Sequence, residues 1–410
     1  LLGWALWSLK PHSTPPIRWS VIFVLTGSIG FVFATGLFKL HRIVEEYSID
    51  FIESLFDTQR DPYQTTTAMG KIGKLKLSGK ILMRIQIRDN TLLAPKQPFL
   101  LKEASYNVYY ENAWFNKQVG FEDIKAIETE NAWPLAKATQ HSQSANIRLI
   151  LQKGKSRGLL ALPANATKIM SDADISLSRN ELGAVQFRAN PILEEYELIL
   201  NHDAQYPSTL SDADQLVPTD LRRFITRIKN RLQLDSQAQN FQSRSNAISS
   251  IRHFFRTKFS YTTYLRRSLI RKNALLSFFE RGSGHCEYFA SATVMLLRSA
   301  GIPARYNVGY SVQEFDAEEQ VYIVRARHRH AWATAYLDNE WITVDTTPDR
   351  WLLADQETAP LFEPISDWIS GIQYRIRVWQ KENTAKTFTV YYVSIAILLL
   401  IIFLLRIQRK

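Results

Sequence analysis

Three side chains of this chain have the types and the order needed for nucleophilic catalysis: the thiol of Cys286, the imidazole of His330 and the carboxylate of Asp345. Cys286 is the single cysteine in 410 residues. It follows Gly282-Ser283-Gly284-His285 and opens a long apolar segment that Gly301 and Pro303 close, the pattern of a helix with its start at the thiol. Free backbone N–H groups at a helix start carry partial positive charge, a setting that suits a reactive sulfur. Such a nucleophile needs a base, and the base needs a third group to hold it.

Two alternating segments, Ala331 to Leu337 and Trp341 to Thr347, flank Asp338-Asn339, residues that tolerate the left-handed backbone of a two-residue hairpin turn. With that turn, Trp332 falls opposite Asp345 and His330 opposite Thr347. Because i and i+2 share a face, His330, Trp332, Asp345 and Thr347 line one side, with His330 and Asp345 as diagonal neighbours. Asp345 can therefore hold one imidazole nitrogen while the other addresses the thiol. Ala331, Ala333, Ala335, Leu337, Ile342 and Val344 make the other side apolar, so that side packs.

Other residues compete for roles. His285 and His328 are rival bases; His285 adjoins the thiol and serves better to tune it or touch substrate, while the partner of His328 would lie beyond Pro348, where a strand ladder ends. Trp332 is either a wall of an acyl tunnel or a plain large strand residue. Arg325, Arg327 and Arg329 alternate before the base and read as a solvated edge, with recognition of a substrate carboxylate as the alternative. Glu287 is expected to point to solvent or pair with an arginine. An oxyanion hole would take the backbone N–H of Cys286 and a donor from the preceding segment, for which Tyr261 is a candidate. No second cysteine, HExxH or CxxC accompanies these residues, so no metal site and no cofactor are expected.

The set GHCEYFA, GIPAR, HAWATAYL and VDTTP, together with KFSYTTYL before it, resembles the transglutaminase-like superfamily, and more closely the bacterial membrane-anchored members of the TgpA type. The resemblance is specific from about Ser260 to Pro348. It implies an α+β, papain-like core in which Cys286 is nucleophile, His330 general base and acid, and Asp345 the orienter. It implies chemistry on an amide of a protein or peptide in the cell envelope, without a metal; calcium enters only by analogy with animal transglutaminases, and no acidic loop of calcium-binding spacing is present. The acyl acceptor, amine or water, stays open, and the family also contains cysteine peptidases, amidases and inactive relatives. The competing class is a non-catalytic envelope scaffold.

Around this core the chain divides by texture. Residues 1–18 are a cytoplasmic or truncated membrane segment, and the absence of an initial methionine suggests a longer protein. Trp19 to Phe38 and Thr387 to Leu405 carry no charge, and each is long enough to cross roughly 30 Å of hydrocarbon at ~1.5 Å per residue. Arg406, Arg409 and Lys410 place the tail, 406–410, in the cytoplasm, so the stretch between the spans faces outward and the protein is expected in the inner membrane with its active domain in the periplasm. Residues 39–65 form a juxtamembrane helix and linker. Residues 66–205 hold short strand-like runs and read as an antiparallel β-rich domain. Residues 206–355 carry the catalytic domain, entered through a linker at Pro207 to Asp220 and two amphipathic helices, and 356–386 a linker helix with Trp368, Ile372, Ile376 and Trp379 at helical spacing. The net charge of +11 is scattered, without a nucleic-acid-binding motif, so nucleic acid is not an expected partner; an anionic envelope and the lipid bilayer are.

Overall fold

Period-two runs become strands where the pattern predicts them, but the sheets they join cut across the order of the chain. A computed structural model describes residues 66–382 apart from 70–71, 73–75, 77, 88–98, 117–119, 128–130, 138–143, 202–203, 205–208, 235–239, 264–272, 349–350 and 352–362. The expected spans at 19–38 and 387–405 and the helix at 39–65 lie outside these residues. Among the described residues no helix is long and apolar enough to cross a membrane.

The first half of the chain supplies β1 (Thr66–Ala68), β2 (Ile81–Ile87), β3 (Phe99–Tyr106), β4 (Val108–Tyr110), β5 (Ala113–Phe115), β6 (Phe121–Asp123), β7 (Ala132–Pro134), β8 (Ser144–Leu159), β9 (Ala166–Met170), β10 (Asp174–Asn180) and β11 (Val185–Asn201). The second half mixes α1 (Thr219–Arg231), α2 (Phe241–Lys258), β12 (Ser260–Tyr261), α3 (Ala274–Arg281), β13 (Ser283–Gly284) and α4 (Cys286–Ser299). It continues with β14 (Ala304–Val312), β15 (Glu314–Asp316), β16 (Val321–Arg325), β17 (Arg329–Leu337), β18 (Glu340–Val344) and α5 (Glu363–Glu382).

Two sheets matter for the site. A four-stranded antiparallel sheet runs β18-β17-β14-β3, and a larger sheet follows the path β15-β16-β2-β8-β11-β10-β6 with β9 also beside β11. Thus β3, from the first half of the chain, lies at the edge of the sheet that carries His330, and β16, from the second half, joins the larger sheet. All of these residues fall in one compact unit. The stretch read as a linker is itself pinned: Ser211 caps a 3-10 turn at Asp212–Gln215, and buried Asp214 takes two 2.9 Å hydrogen bonds from Arg305 of β14.

The core under the site gathers on α4. Its flank meets the alanine face of β17, with Ala331, Ala333 and Ala335 all buried in one cluster with Cys286, Phe289 and Leu296. Small side chains on the strand let helix and sheet approach closely. The β4–β5 hairpin adds Trp114, whose ring stacks on Tyr306 at 5.1 Å and 3° while its Nε1 donates to Ser291 Oγ of α4 at 2.9 Å. Gly301, with φ of 77°, ends the helix as Ile302 N donates back to Leu297 O.

Candidate active site

The hairpin that bears His330 has the register its turn dictates. Asp338 and Asn339 have φ of 48° and 66°, and Ala333 pairs with Val344, Thr334 with Thr343 and Leu337 with Glu340. The ladder stops at Val344, and the next residue, Asp345, turns its carboxylate to the diagonal position: its Oδ2 lies 2.7 Å from His330 Nε2. The other oxygen, Oδ1, accepts the backbone N–H of Thr347 at 2.9 Å. Thr346 and Thr293 of α4 join hydroxyl to hydroxyl at 2.6 Å, which ties the carboxylate's strand end to the cysteine helix.

Cys286 is the first residue of α4, with His285 as the cap residue before it. The short parallel pair β12–β13 sets Tyr261 beside Gly284, just before the thiol. The charge and hydrogen-bonding capacity of Cys286 act on His330, although His330 Nδ1 has no partner at full hydrogen-bond geometry. The pair is set but not closed, as resting nucleophile and base pairs often are. Burial works against a charged ring, but the Asp345 carboxylate, by charge and hydrogen bond, and Cys286 outweigh it and push His330 up to about 9. Burial would likewise raise the carboxyl of Asp345; the His330 charge and the hydrogen bonds from His330 and Thr347 prevail and hold it below the usual carboxylate range. The arrangement can therefore keep a protonated imidazole between sulfur and carboxylate at neutral pH.

Aromatic rings shield it. Trp332 lies nearly parallel to the His330 ring, 6.1 Å away at 17°, and Trp351 lies closer, at 4.3 Å and 13°. Cys286 and His330 are both 0% exposed, so thiol and imidazole sit out of water. Lys76 is stationed 5.2 Å over the Trp351 ring. Sequence reasoning missed Trp351; the one signal for it is its position three residues after Pro348, where the chain leaves the site.

The other candidates sort clearly. His328 belongs to a 3-10 turn and accepts the N–H of Arg325 at Nδ1, 3.1 Å. Burial, then Arg327, Lys76 and Arg325, push it down to about 3, so it is a neutral structural cap and no rival base. His285 is buried edge-on to Tyr288, and burial with Lys76 and Arg281 pushes it, too, down to about 3. Glu287 does not reach solvent: it is fully buried, 3.4 Å from His285 Nδ1. Nor are the three arginines a solvated edge or a substrate clamp. Arg325 grips Glu314 and Asp367, Arg327 grips Glu363, and Arg329 pairs with Glu103. The alternation that suggested exposure is broken by the 3-10 turn, and carboxylates distant in sequence fold over the guanidinium groups. Among the described residues no three His, Cys, Asp or Glu side chains converge as metal ligands do.

Comparison with known proteins matches the same segment. Residues 233–346 fit the family model of the transglutaminase-like superfamily. An uncharacterised protein of Bacillus subtilis strain 168, YebA, is 39% identical over 74 residues, which are 17% of this chain and 10% of the relative. A protein-glutamine gamma-glutamyltransferase of Pseudomonas aeruginosa is 36% identical over 70 residues, again 17% and 10%. The matched segments thus span about a tenth of the length of these curated relatives. The periplasmic domain of TgpA from Pseudomonas aeruginosa superposes with a TM-score of 0.55 at 18% identity, covering 72% of this chain and 99% of that one, a likeness of fold.

Proposed function

Since the chain belongs to the transglutaminase-like superfamily and is of the TgpA type, we propose that it is a membrane-anchored cysteine acyltransferase acting on amides of envelope proteins or peptides. The observation that carries the reading is the 2.7 Å bond between His330 and Asp345 on a hairpin packed against the helix that begins at Cys286. In the first step the Cys286 sulfur attacks the carbonyl carbon of a glutamine side chain. The carbon–nitrogen bond breaks, His330 gives its proton to the departing ammonia, and a thioester remains. In the second step an amine attacks the thioester, His330 takes the amine's proton, and the carbon–sulfur bond breaks to release Cys286 as thiolate with formation of an isopeptide bond. Asp345 fixes the ring and balances its charge throughout. Donors for the carbonyl oxygen come from the backbone N–H groups at the start of α4, unclaimed within the helix by its geometry, with Tyr261 on the neighbouring strand as a further donor.

Exclusion of water bears on the acceptor. Both reacting groups are fully buried and two indoles lie along the imidazole, a setting that disfavours hydrolysis of a thioester and favours transfer to an amine. Anchorage by 19–38 and 387–405, with the active domain in the periplasm, completes the reading. The test is incubation with a glutamine donor and a primary-amine probe, measuring probe incorporation and ammonia release together. Incorporation that Cys286→Ala abolishes supports the transferase; ammonia without incorporation points to an amidase. Neither product, with slow alkylation of Cys286 that His330→Ala leaves unchanged, points to a scaffold.

A further inference from the structure

Helix α5 is built inside out. On an ordinary surface helix the apolar stripe faces the core and the charged face meets water. Here the polar face is the one that holds the protein. Glu363 and Asp367 receive Arg327 and Arg325, Ser370 Oγ accepts Arg84 at 3.1 Å, and the Arg84 guanidinium also lies over the Tyr374 ring at 4.8 Å. Arg377 donates to Leu151 O at 2.7 Å, and Gln373 accepts from Gln152 at 3.2 Å. Glu363, Asp367, Ser370, Tyr374 and Arg377 share one side of the helix, and Trp368, Ile369, Ile372, Ile376 and Trp379 fall within about 100° of arc on the other. That outward arc is apolar and exposed: Trp368 by 64%, Ile369 by 47%, Ile376 by 49% and Trp379 by 38%.

Buried arginines held by carboxylates are costly to assemble compared with apolar packing of the same helix. A chain that seats the polar face and turns Trp368, Ile369 and Ile376 outward needs something apolar to receive them. The neighbouring sequence says what. The helix ends at Glu382, and the uncharged stretch Thr387 to Leu405 begins five residues later, so whatever receives that stretch lies within a few residues of α5. Tryptophans beside such a stretch suit the boundary between headgroups and acyl chains, where an apolar arc sinks and its flanks stay wet.

We propose that α5 lies in the membrane–water interface with Trp368, Ile369 and Ile376 in the lipid, and that Arg325 and Arg327 rivet the catalytic hairpin to it. The two arginines stand immediately before β17, which carries His330, so the latch fixes the base at a set height above the lipid. The bilayer is thus a docking surface for the folded domain as well as a medium for the spans. The proposal rests on the anchorage proposed above and adds to it a second, independent contact.

The test uses the full chain in proteoliposomes carrying Cys286→Ser and Ile376→Cys, with an environment-sensitive fluorophore on the new thiol and the same label at Phe241→Cys, an exposed apolar residue on another helix, as control. The label at 376 is expected to be quenched roughly twofold by nitroxide lipids at the headgroup–acyl boundary, about 5–10 Å deep, and the label at 241 hardly at all. Equal quenching at both positions, or a blue-shifted label at 376 that lipid nitroxides do not reach, overturns the proposal; the second result assigns the arc to a protein partner or a second copy. Carbonate extraction separates the two readings. Protein that stays with the vesicles while 376 is unquenched sinks the interfacial helix alone, and protein that washes off sinks the anchorage and the helix with it.

Discussion

The ring of His330 lies against the indole of Trp351, centroids 4.3 Å apart and 13° from parallel. That contact puts an apolar plate on the proton carrier of the proposed reaction, from a residue outside the hairpin that carries the base. Trp351→Ala opens a path for water to the thioester, so the yield of incorporated amine per ammonia released is expected to fall several-fold. Trp351→Phe, which keeps a flat apolar ring, should restore most of it. The ratio of probe incorporation to ammonia checks both; an unchanged ratio in the alanine variant would show that the indole does not exclude water.

A second expectation concerns Asp345. Its charge and hydrogen bond oppose burial and lift His330 to about 9, so the protonated ring, and with it the proposed donation to the leaving group, is lost only as pH rises through that value. Without the carboxylate, burial acts with less opposition. Asp345→Ala should cut kcat by about 10²–10⁴ and move the alkaline limb of the pH profile down by roughly 1–3 pH units. A limb that stays near 9 in the variant would mean that another group sets it.

The hairpin was readable because a two-residue turn of Asp338 and Asn339 leaves one register, and period two then decides which side chains share a face. The helix at Cys286 was readable from its glycine stops. What could not be read was non-local. Trp351 reaches the imidazole after a chain turn that no periodicity announces. Arg325 and Arg327 looked like an edge because alternation cannot reveal that Glu314, Glu363 and Asp367 come from elsewhere to cover them. Phe99 to Tyr106 read as part of a β-rich domain, and only pairing with β14 shows that it completes the sheet of the site. In α2 the helix begins at Phe241, because Asn240 caps it by accepting the N–H of Ser243.

The histidines also govern stability, with opposite signs. His285 and His328 are held near 3 by burial and by neighbouring cations, so below about pH 6.5 the unfolded chain binds protons that the native one refuses. Stability should therefore fall as pH drops from 6.5 toward 3, by up to about 1.4 kcal/mol per pH unit for each histidine. His330 is raised to about 9: its contribution is complete below 6.5 and is lost as pH rises from 6.5 through 9. Denaturant midpoints measured from pH 4 to 9 should give a maximum near 6.5, with His328→Gln flattening the acid side and His330→Gln the alkaline side. Acid slopes identical in His328→Gln and the parent would show that His328 is not held neutral.

Gly309 supports His330 from the neighbouring strand. On β14 it pairs with His330 on one side, and on the other it sits at the register shift of the β14–β3 ladder. A Cβ placed there would lie 1.8 Å from Leu101 O and 2.8 Å from Leu101 C, and both are backbone atoms that no side-chain rotation can clear. Either β3 moves off the sheet or β14 shifts and carries the strand of His330 with it. Overpacking of this kind costs about 1–3 kcal/mol where side chains can yield, and backbone against backbone places Gly309→Ala at the upper end or beyond. The variant should lose at least that much in denaturant unfolding and lose activity more steeply than Ser311→Ala, a small change two residues along the same strand. A Gly309→Ala protein of parental stability would mean that β3 does not approach β14 as closely as this register requires.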